Sequence, residues 1–313
     1  MIPTTTQPKI DFRPVTLQDK ALYERYLSES GERGCEFSFA NVYLWGEQSM
    51  ALLHGQLLLF ARFGDREVYP NPLGEGDKKA AIDAILADAQ ARDIPCRISG
   101  LCAEARETLD ALYPEQFCYK CSEGSFDYVY DIHDLADLKG KKYHGKRNHL
   151  HRFRDAHPNA VAVPLTEDNL PRARAMAEEW YRTRLSEDPD GDYRMEQLAL
   201  DKAFCHFREL ALEGLVLTDG EDVLAFTMAS RLSADTFDVH FEKARADVQG
   251  AYTAINCEFA RYLREKYPDV RYLDREEDMG LEGLRRAKQS YHPHHMVRKC
   301  RACLSENCDE KDH

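Results

Sequence analysis

The sequence lacks any run of apolar residues that approaches the ~20 needed to cross a membrane. It also lacks a positively charged leader followed by an apolar segment at its start, so we expect neither secretion nor an integral membrane span. Positive charge is in deficit, with 42 Lys and Arg against 55 Asp and Glu and a net charge of −13. A disordered chain is excluded, because 43% of the 313 residues are apolar and can form a core. The sequence therefore predicts a cytoplasmic globular protein with one large domain or two ordinary ones.

Cysteine is not scarce, but the ten cysteines are spread through a chain too long to depend on disulfides for its stability. We therefore expect mostly reduced thiols. Two pairs, Cys118 with Cys121 and Cys300 with Cys303, have the spacing found within zinc sites. The pairs fall in different predicted domains, so we predict no metal ion.

One segment, residues 139–154, departs from the acidic composition, and we call it the basic segment. It contains seven Lys or Arg residues, three His and no acid, which leaves a charge of −20 on the remaining residues. A helix over 142–154 would place Lys142, Lys146 and His149 on one face, with Arg152 next in the row, since residues three and four apart are neighbours on a helix.

Each half of the chain shows the same order of predicted elements: a hairpin, a strand, a loop with glycine, a helix and a second strand. These elements are predicted at 50–63, 66–70, 78–91 and 95–100, and again at 214–231, 236–243, 251–266 and 269–276. Two more helices, at 170–185 and 194–212, precede the second hairpin. The order predicts an α/β fold (α+β, with a mixed sheet) of two tandem acyltransferase domains of the N-acetyltransferase (GNAT) type. The predicted bounds are 1–135 for the first domain, 136–156 for a basic connecting helix, 157–299 for the second domain and 300–313 for a polar tail that contains cysteine.

The strand predicted at 236–243 alternates apolar residues with Asp238, His240 and Glu242, which would share one face. Such a polar face could line a cleft, and His240 or Glu242 could then remove a proton from an attacking amine. The alternative is an edge strand with a solvated face. Tyr291, in a loop rich in Tyr, His and Lys, is our candidate acid for a leaving group.

The start of the helix at 251–266 is the predicted site of the acyl donor. Unpaired N–H groups at a helix start favour a phosphate, and Gly250 would let the backbone come close to it. We assign donor binding to Gln249, Gly250, Tyr252 and Asn256. The alternative is that Gly250 only closes a strand-to-helix turn.

Four segments, at 37–45, 127–153, 248–260 and 274–293, together resemble the bacterial proteins that share the C-terminal domain of phosphatidylglycerol lysyltransferase. Those proteins are similar to the Fem peptidoglycan-bridge transferases, which have two tandem acetyltransferase-like domains. The resemblance implies the tandem fold and the transfer of an aminoacyl group from aminoacyl-tRNA to an amine or hydroxyl of a small-molecule or peptide acceptor. The lysyltransferases proper add a large membrane-spanning portion, so we do not expect a lipid acceptor here.

The resemblance also gives the basic segment a predicted role. We assign phosphate or RNA binding to Lys142, Lys146, Arg147 and Arg152, because a long run of like charges is repulsive unless something neutralises it. The alternative is a solvated helix between the domains. Two other functions stay open: an acyl-CoA-dependent N-acyltransferase that uses acyl-CoA at Gly250, and a non-catalytic module that binds RNA or another polyanion. No cofactor is firmly predicted.

Overall fold

The computed structural model describes residues 9–188 and 193–305, and the chain divides into two compact units. Unit 1 comprises Met1–Phe126 and Val297–His313, and unit 2 comprises Asp127–Met296. Unit 2 is therefore an insertion into unit 1, and the basic segment belongs to unit 2 instead of connecting two domains. Within the described ranges, no helix is long and apolar enough to cross a membrane.

Strands and helices are numbered here in chain order. The described strands are β1 (Arg13–Pro14), β2 (Glu47–Leu53), β3 (Gln56–Phe63), β4 (Arg66–Pro70), β5 (Arg97–Leu101), β6 (Phe117–Lys120), β7 (Asp127–Asp131), β8 (Val161–Pro164), β9 (Glu213–Asp219), β10 (Asp222–Arg231), β11 (Thr236–Ala244), β12 (Tyr272–Asp274), β13 (His295–Val297) and β14 (Cys300–Leu304). The described α-helices are α1 (Lys20–Ser30), α2 (Phe39–Leu44), α3 (Lys78–Arg92), α4 (Ala103–Leu112), α5 (Ile132–Asp137), α6 (His144–Ala156), α7 (Leu170–Glu187), α8 (Arg194–Cys205), α9 (Ala251–Lys266) and α10 (Glu282–Gln289).

Unit 1 contains a mixed sheet with the strand order β1-β2-β3-β4-β5-β14-β6. β2 and β3 form the predicted antiparallel hairpin, and β4 is parallel to β5 because α3 crosses between them. Helix α3 starts where the Asp77 carboxylate accepts a hydrogen bond from the Ala80 N–H, which satisfies one of the unpaired donors of its first turn. Ile82 and Ile85 of α3 belong, with Ile98 of β5, to the apolar core of this unit.

Unit 2 repeats this plan with the strand order β13-β7-β12-β11-β10-β9-β8. β9, β10 and β11 are antiparallel neighbours, and α9 leads to β12, which is parallel to β11. Both units therefore contain the predicted hairpin, strand, helix and parallel strand. The prediction of an α/β fold with two mixed sheets is confirmed.

Strand β11 contains a bulge that changes which side chains share a face. Met228 of β10 lies opposite Phe241, but the next residue, Ala229, lies opposite Val239, so His240 has no counterpart in β10. Val239 lies before the bulge and belongs to the core that includes helix α9. Glu242 lies after the bulge and accepts a hydrogen bond from Asn256 of α9. Both side chains therefore lie on the side of the sheet that α9 covers. The prediction that Asp238, His240 and Glu242 share one face is therefore wrong, because an extra residue interrupts the alternation.

The predicted polar tail begins with a strand of unit 1. β14 pairs with β5 on one side and β6 on the other, so the prediction is wrong for Cys300–Leu304. Residues 306–313 of that tail lie outside the described residues. Cys300 forms a disulfide with Cys121, and Cys118 is disulfide-bonded as well, so the expectation of reduced thiols fails for these three cysteines. It holds for the free thiols Cys96, Cys102, Cys205, Cys257 and Cys303.

Candidate active site

A group of polar side chains meets in unit 2 where β11 extends past its partner β12. The parallel pairing covers only Thr236–Asp238 against Tyr272–Asp274, so the rest of β11 has no neighbour on that side from β12. Side chains from β11, α6, α9 and the segments after β12 and α10 fill this region. We call the group the Arg275 cluster, and its members are Lys146, Glu242, Asn256, Arg275 and Tyr291.

Glu242 and Arg275 form the charged centre of the cluster. A guanidinium nitrogen of Arg275 lies 2.8 Å from Glu242 Oε1, and the two side chains are only 14% and 9% exposed. Asn256 Nδ2 donates to the other carboxylate oxygen of Glu242 at 3.3 Å. Glu242, which we predicted as a base, is thus engaged through both oxygens, and its evident role in this arrangement is to hold Arg275 and Asn256 in place.

Two polar atoms of the cluster are buried without a hydrogen-bond partner in the described structure, Arg275 Nη1 and Asn256 Oδ1. Asn256 is only 3% exposed. A buried donor or acceptor left unmatched costs about 1–3 kcal/mol, so folded proteins rarely contain them without a reason. Here one donor and one acceptor lie on side chains that Glu242 holds together. The pair is suited to a substrate that has both a carbonyl oxygen and a hydrogen-bond donor.

Lys146 extends from α6 into this cluster instead of lying with the rest of the basic segment. Its Nζ is 3.6 Å from the centroid of the Tyr291 ring. Burial and, to a smaller extent, the positive charge of Arg275 lower the pKa of Lys146 to about 8, against the opposing effect of Glu242. About a tenth of the amine is therefore neutral at pH 7 and able to accept a proton. Lys146 is thus partly buried in the cluster, whereas Lys142 and Arg152 of the predicted basic face are exposed, and phosphate binding by Lys146 stays a prediction.

Tyr291 connects the two cations of the cluster. The Arg275 guanidinium lies 5.1 Å from the ring centroid, and the Tyr291 hydroxyl donates to Thr253 Oγ1 at 3.4 Å. Burial raises the pKa of Tyr291 to about 12, with a contribution from Glu242 and opposition from Arg275. The hydroxyl therefore stays protonated at neutral pH, as a proton donor must, and its role as an acid stays a prediction.

His240, the other predicted base, lies in a different group. Its Nε2 is 2.8 Å from Ser230 Oγ, and its Nδ1 is 3.3 Å from Glu276 Oε1. The bulge separates it from Glu242, so the structure does not bring the two predicted bases together. Asp238, His240 and Glu276 offer ligand atoms within 4.8 Å of one another, which is the spacing a metal ion would need.

The start of α9 differs from what donor binding at Gly250 requires. Gly250 has φ +85°, and a Cβ there would lie 2.5 Å from the carbonyl oxygen of His149 in α6. Glycine is needed because α6 and α9 touch at this point, and α6 occupies the space that a side chain at position 250 would need. Gln249, in the turn before α9, and Tyr252, in its first turn, are exposed, while Asn256 lies one turn further along α9 in the Arg275 cluster. Donor binding by these three residues stays a prediction.

The remaining residues of the basic segment are divided between structure and solvent. Arg147 donates to the carbonyl oxygens of Leu138 and Gly140, which fixes the chain before α6. Lys142 is exposed and forms an ion pair with Asp134 at 2.9 Å, and Arg152 is exposed. Of the four residues predicted to bind phosphate, only Lys142 and Arg152 present their charges to solvent.

Solved structures share this architecture. A conserved protein of unknown function from Bacteroides thetaiotaomicron VPI-5482 is 35% identical, with a TM-score of 0.88 over 94% of this chain and 99% of that one. L-PGS from Bacillus licheniformis is 17% identical, with a TM-score of 0.64 over 93% of each chain. FemX is 10% identical, with a TM-score of 0.57 over 95% of this chain and 98% of that one. The last two likenesses concern the fold alone.

A curated relative, uncharacterized protein MYCGA3080 of Mycoplasmoides gallisepticum (strain R(low / passage 15 / clone 2)), is 23% identical over 180 residues. The match covers 56% of each chain, so this chain spans about half the length of the curated relative it matches. Residues 28–303 match the family described as phosphatidylglycerol lysyltransferase, C-terminal. The tandem GNAT-like fold predicted with that resemblance is confirmed. The chain belongs to the phosphatidylglycerol lysyltransferase C-terminal family.

Proposed function

We propose that this chain transfers an acyl group to an amine or hydroxyl acceptor and that the reaction takes place at the Arg275 cluster. The observation that carries this proposal is the pair of unmatched buried atoms, Arg275 Nη1 and Asn256 Oδ1, beside the partly neutral amine of Lys146. A donor of hydrogen bonds, an acceptor and a base within one cluster are the groups that acyl transfer uses.

The proposed reaction assigns a step to Lys146, Arg275 and Tyr291. The acceptor amine or hydroxyl attacks the carbonyl carbon of the donor ester, and Lys146 takes the proton that the acceptor loses. Arg275 Nη1 donates to the carbonyl oxygen as negative charge develops on it. The ester C–O bond then breaks, and the leaving alkoxide takes a proton from the Tyr291 hydroxyl. The Tyr291 phenolate then recovers a proton from the Lys146 ammonium, which returns both side chains to their starting states. The products are the acylated acceptor and the free hydroxyl of the donor.

The donor that fits best is aminoacyl-tRNA. Its aminoacyl group carries an ammonium next to the ester, and Asn256 Oδ1, beside the negative charge of Glu242, supplies an acceptor for it. The exposed cations Lys142 and Arg152 on the basic segment suit the phosphates of RNA. Acyl-CoA fits less well, because α6 occupies the space beside Gly250.

A transfer assay with two donors tests the proposal. The purified protein is mixed with a radiolabelled pool of aminoacyl-tRNAs, or with acetyl-CoA, and with two acceptors, a peptide mixture and phosphatidylglycerol vesicles. We expect label to move from tRNA to one acceptor. Lys146→Met and Arg275→Lys should each slow this transfer by about 10²-fold or more, since general-base and oxyanion contributions have this size.

Arg264→Lys is the matched control, because Arg264 is a cation of unit 2 that forms an ion pair with Asp137 at 3.0 Å outside the cluster. It should transfer at the wild-type rate. Transfer at that rate by both cluster variants, with circular dichroism showing them folded, would place the reaction elsewhere. Transfer from acetyl-CoA alone would overturn the tRNA donor, and tRNA binding without transfer from either donor would leave the non-catalytic module.

A further inference from the structure

Unit 1 has a cavity of its own, of about 190 Å³, at the carboxyl ends of its two parallel strands. Asn71 directly follows β4 and Cys102 directly follows β5, and both line the cavity. Lys78 at the start of α3 and Glu104 in the first turn of α4 also line it. The crevice beyond the carboxyl ends of parallel strands is where open α/β sheets bind ligands.

The cavity has an apolar side and a polar side. Ile82 of α3 and Leu109 and Leu112 of α4 supply the apolar wall. A cavity of this volume fits a small metabolite and not a nucleotide. A second cavity of about 230 Å³ lies beside it, since Glu32, Cys102 and Glu104 line both.

Glu32 is the buried acid of this cavity, with only 9% of its surface exposed. Its Oε1 accepts a hydrogen bond from Asn71 Nδ2 at 2.7 Å. Burial raises the pKa of Glu32 to about 7, against the effects of the Asn71 hydrogen bond and the charge of Lys78. A ligand cation would favour the ionised carboxylate and repay part of the cost of burying it.

Lys78 is the cation of the same cavity. Its Nζ donates to the carbonyl oxygen of Pro72 at 2.5 Å, and burial lowers its pKa while Glu32 opposes the change. Within residues 9–188 and 193–305, these two side chains form no ion pair with each other, although both line the cavity. The cavity therefore presents a buried acid, Glu32, and a cation, Lys78, that do not neutralise each other by direct contact, and the exposed Glu104 adds a second acid to its lining.

We propose that this cavity binds a small zwitterion, a molecule that carries an ammonium group and a carboxylate group, as a free amino acid does. A simple amine would pair with Glu32 but would bring its charge close to Lys78. A simple carboxylic acid would pair with Lys78 but would face Glu32. A zwitterion matches both groups, and its hydrocarbon portion lies against Ile82, Leu109 and Leu112. The site belongs to unit 1 and is independent of the acyl-transfer site proposed for unit 2.

Calorimetry with matched compounds tests the class of ligand. The twenty standard amino acids are first screened by thermal shift, and the best is then titrated beside two relatives of the same skeleton, the amine without its carboxylate and the acid without its amine. We expect the amino acid to bind at least about tenfold more tightly than either relative, the factor that ~1.4 kcal/mol of lost pairing gives. Equal binding of the amine or the acid would overturn the zwitterion, and no binding by any amino acid would overturn the site.

Variants locate the binding site. Glu32→Gln and Lys78→Met should each weaken the amino acid by about tenfold or more. Lys79→Met is the control, because the exposed Lys79 on the same helix pairs with Asp83 and should not affect binding. Ala105→Leu fills the cavity from α4 without removing a charge, so it should also prevent binding even if a charge variant does not fold. Unchanged affinity in the folded Ala105→Leu protein would place the ligand elsewhere.

Discussion

Replacing Lys146 by methionine should make unit 2 more stable while it slows transfer by about 10²-fold or more. The pKa of Lys146 falls from 10.5 to about 8 in the folded protein, so folding disfavours the charged amine. The full shift corresponds to about 3 kcal/mol, because one pKa unit is about 1.4 kcal/mol. Two effects reduce this figure. Lys146 is partly exposed, so solvent screens part of the penalty. Methionine also loses the attraction between the amine and the Tyr291 ring, which is worth about 1 kcal/mol. We therefore expect a net gain of about 1–2 kcal/mol in the free energy of unfolding at pH 7.

The dependence on pH identifies the cause of this gain. A lowered lysine pKa destabilises the fold fully below pH 8, and the penalty disappears as the pH rises from 8 to 10.5, where the amine loses its proton in both states. The gain from Lys146→Met should therefore shrink between pH 7 and pH 10. Urea unfolding can be followed through Trp180, the tryptophan of unit 2, in a Trp45→Phe background.

Lys142→Met is the stability control, because Lys142 is exposed and its ion pair with Asp134 is worth at most about 1 kcal/mol. It should give no gain at either pH. Destabilisation by Lys146→Met at pH 7 would show that Lys146 supports the fold, and a gain that is equal at pH 7 and pH 10 would show that charge burial is not its cause. Either result would refute the reasoning that assigns Lys146 to chemistry.

Gly250→Ala should destabilise unit 2 by about 2 kcal/mol or more, because φ is positive there and the added Cβ meets the backbone of α6. The control is Gly220→Ala, where φ is also positive but the Cβ meets open space. Thermal unfolding should show a clearly smaller loss of stability for this control. The wild type should lose up to about 3 kcal/mol of stability as the pH rises from 4.5 to 7, because the pKa of Glu32 is raised in the folded state and the unfolded chain ionises first. Glu32→Gln lacks this carboxyl group, so its stability should rise relative to the wild type over the same range. A stability difference between Glu32→Gln and the wild type that stays constant across these pH values would contradict this prediction. Replacing Lys142 and Arg152 together by Gln should make the salt dependence of tRNA binding shallower. The negative slope of log K, the association constant, against log salt should decrease in magnitude by about 1.4, and an unchanged slope would exclude the basic segment as the RNA surface.

Local signals explain what the sequence predicted well. Strand β4 and helix α9 have the predicted bounds, because a strand of apolar residues between turns and a helix that follows Gly250 are visible within a few residues. The bulge at His240 could not be predicted in this way, since it depends on the register between two strands. Neither could the place of β14, which pairs with strands almost 200 residues earlier in the chain.

Arg275 was not predicted as a site residue for a related reason. The charges around it, in the segment 273–295, have the order that a helix dipole favours, so the sequence offered a structural explanation for them. Only the fold shows that the Arg275 side chain is buried against Glu242 while one of its nitrogens stays unmatched. Tyr291 and Asn256, predicted for separate roles, are brought to the same cluster by the crossover of α9 and the return of the chain after α10.

The position of β14 determines when unit 1 can be completed during synthesis. β14 lies between β5 and β6, so these strands have no neighbour at that position until residue 304 has left the ribosome, after all of unit 2 has been made. Until then β5 presents an unpaired edge, which is a surface that nascent chains must protect from other strands. We expect unit 2, whose strands all come from one continuous stretch, to fold first, and the unit that begins at the N-terminus to fold last.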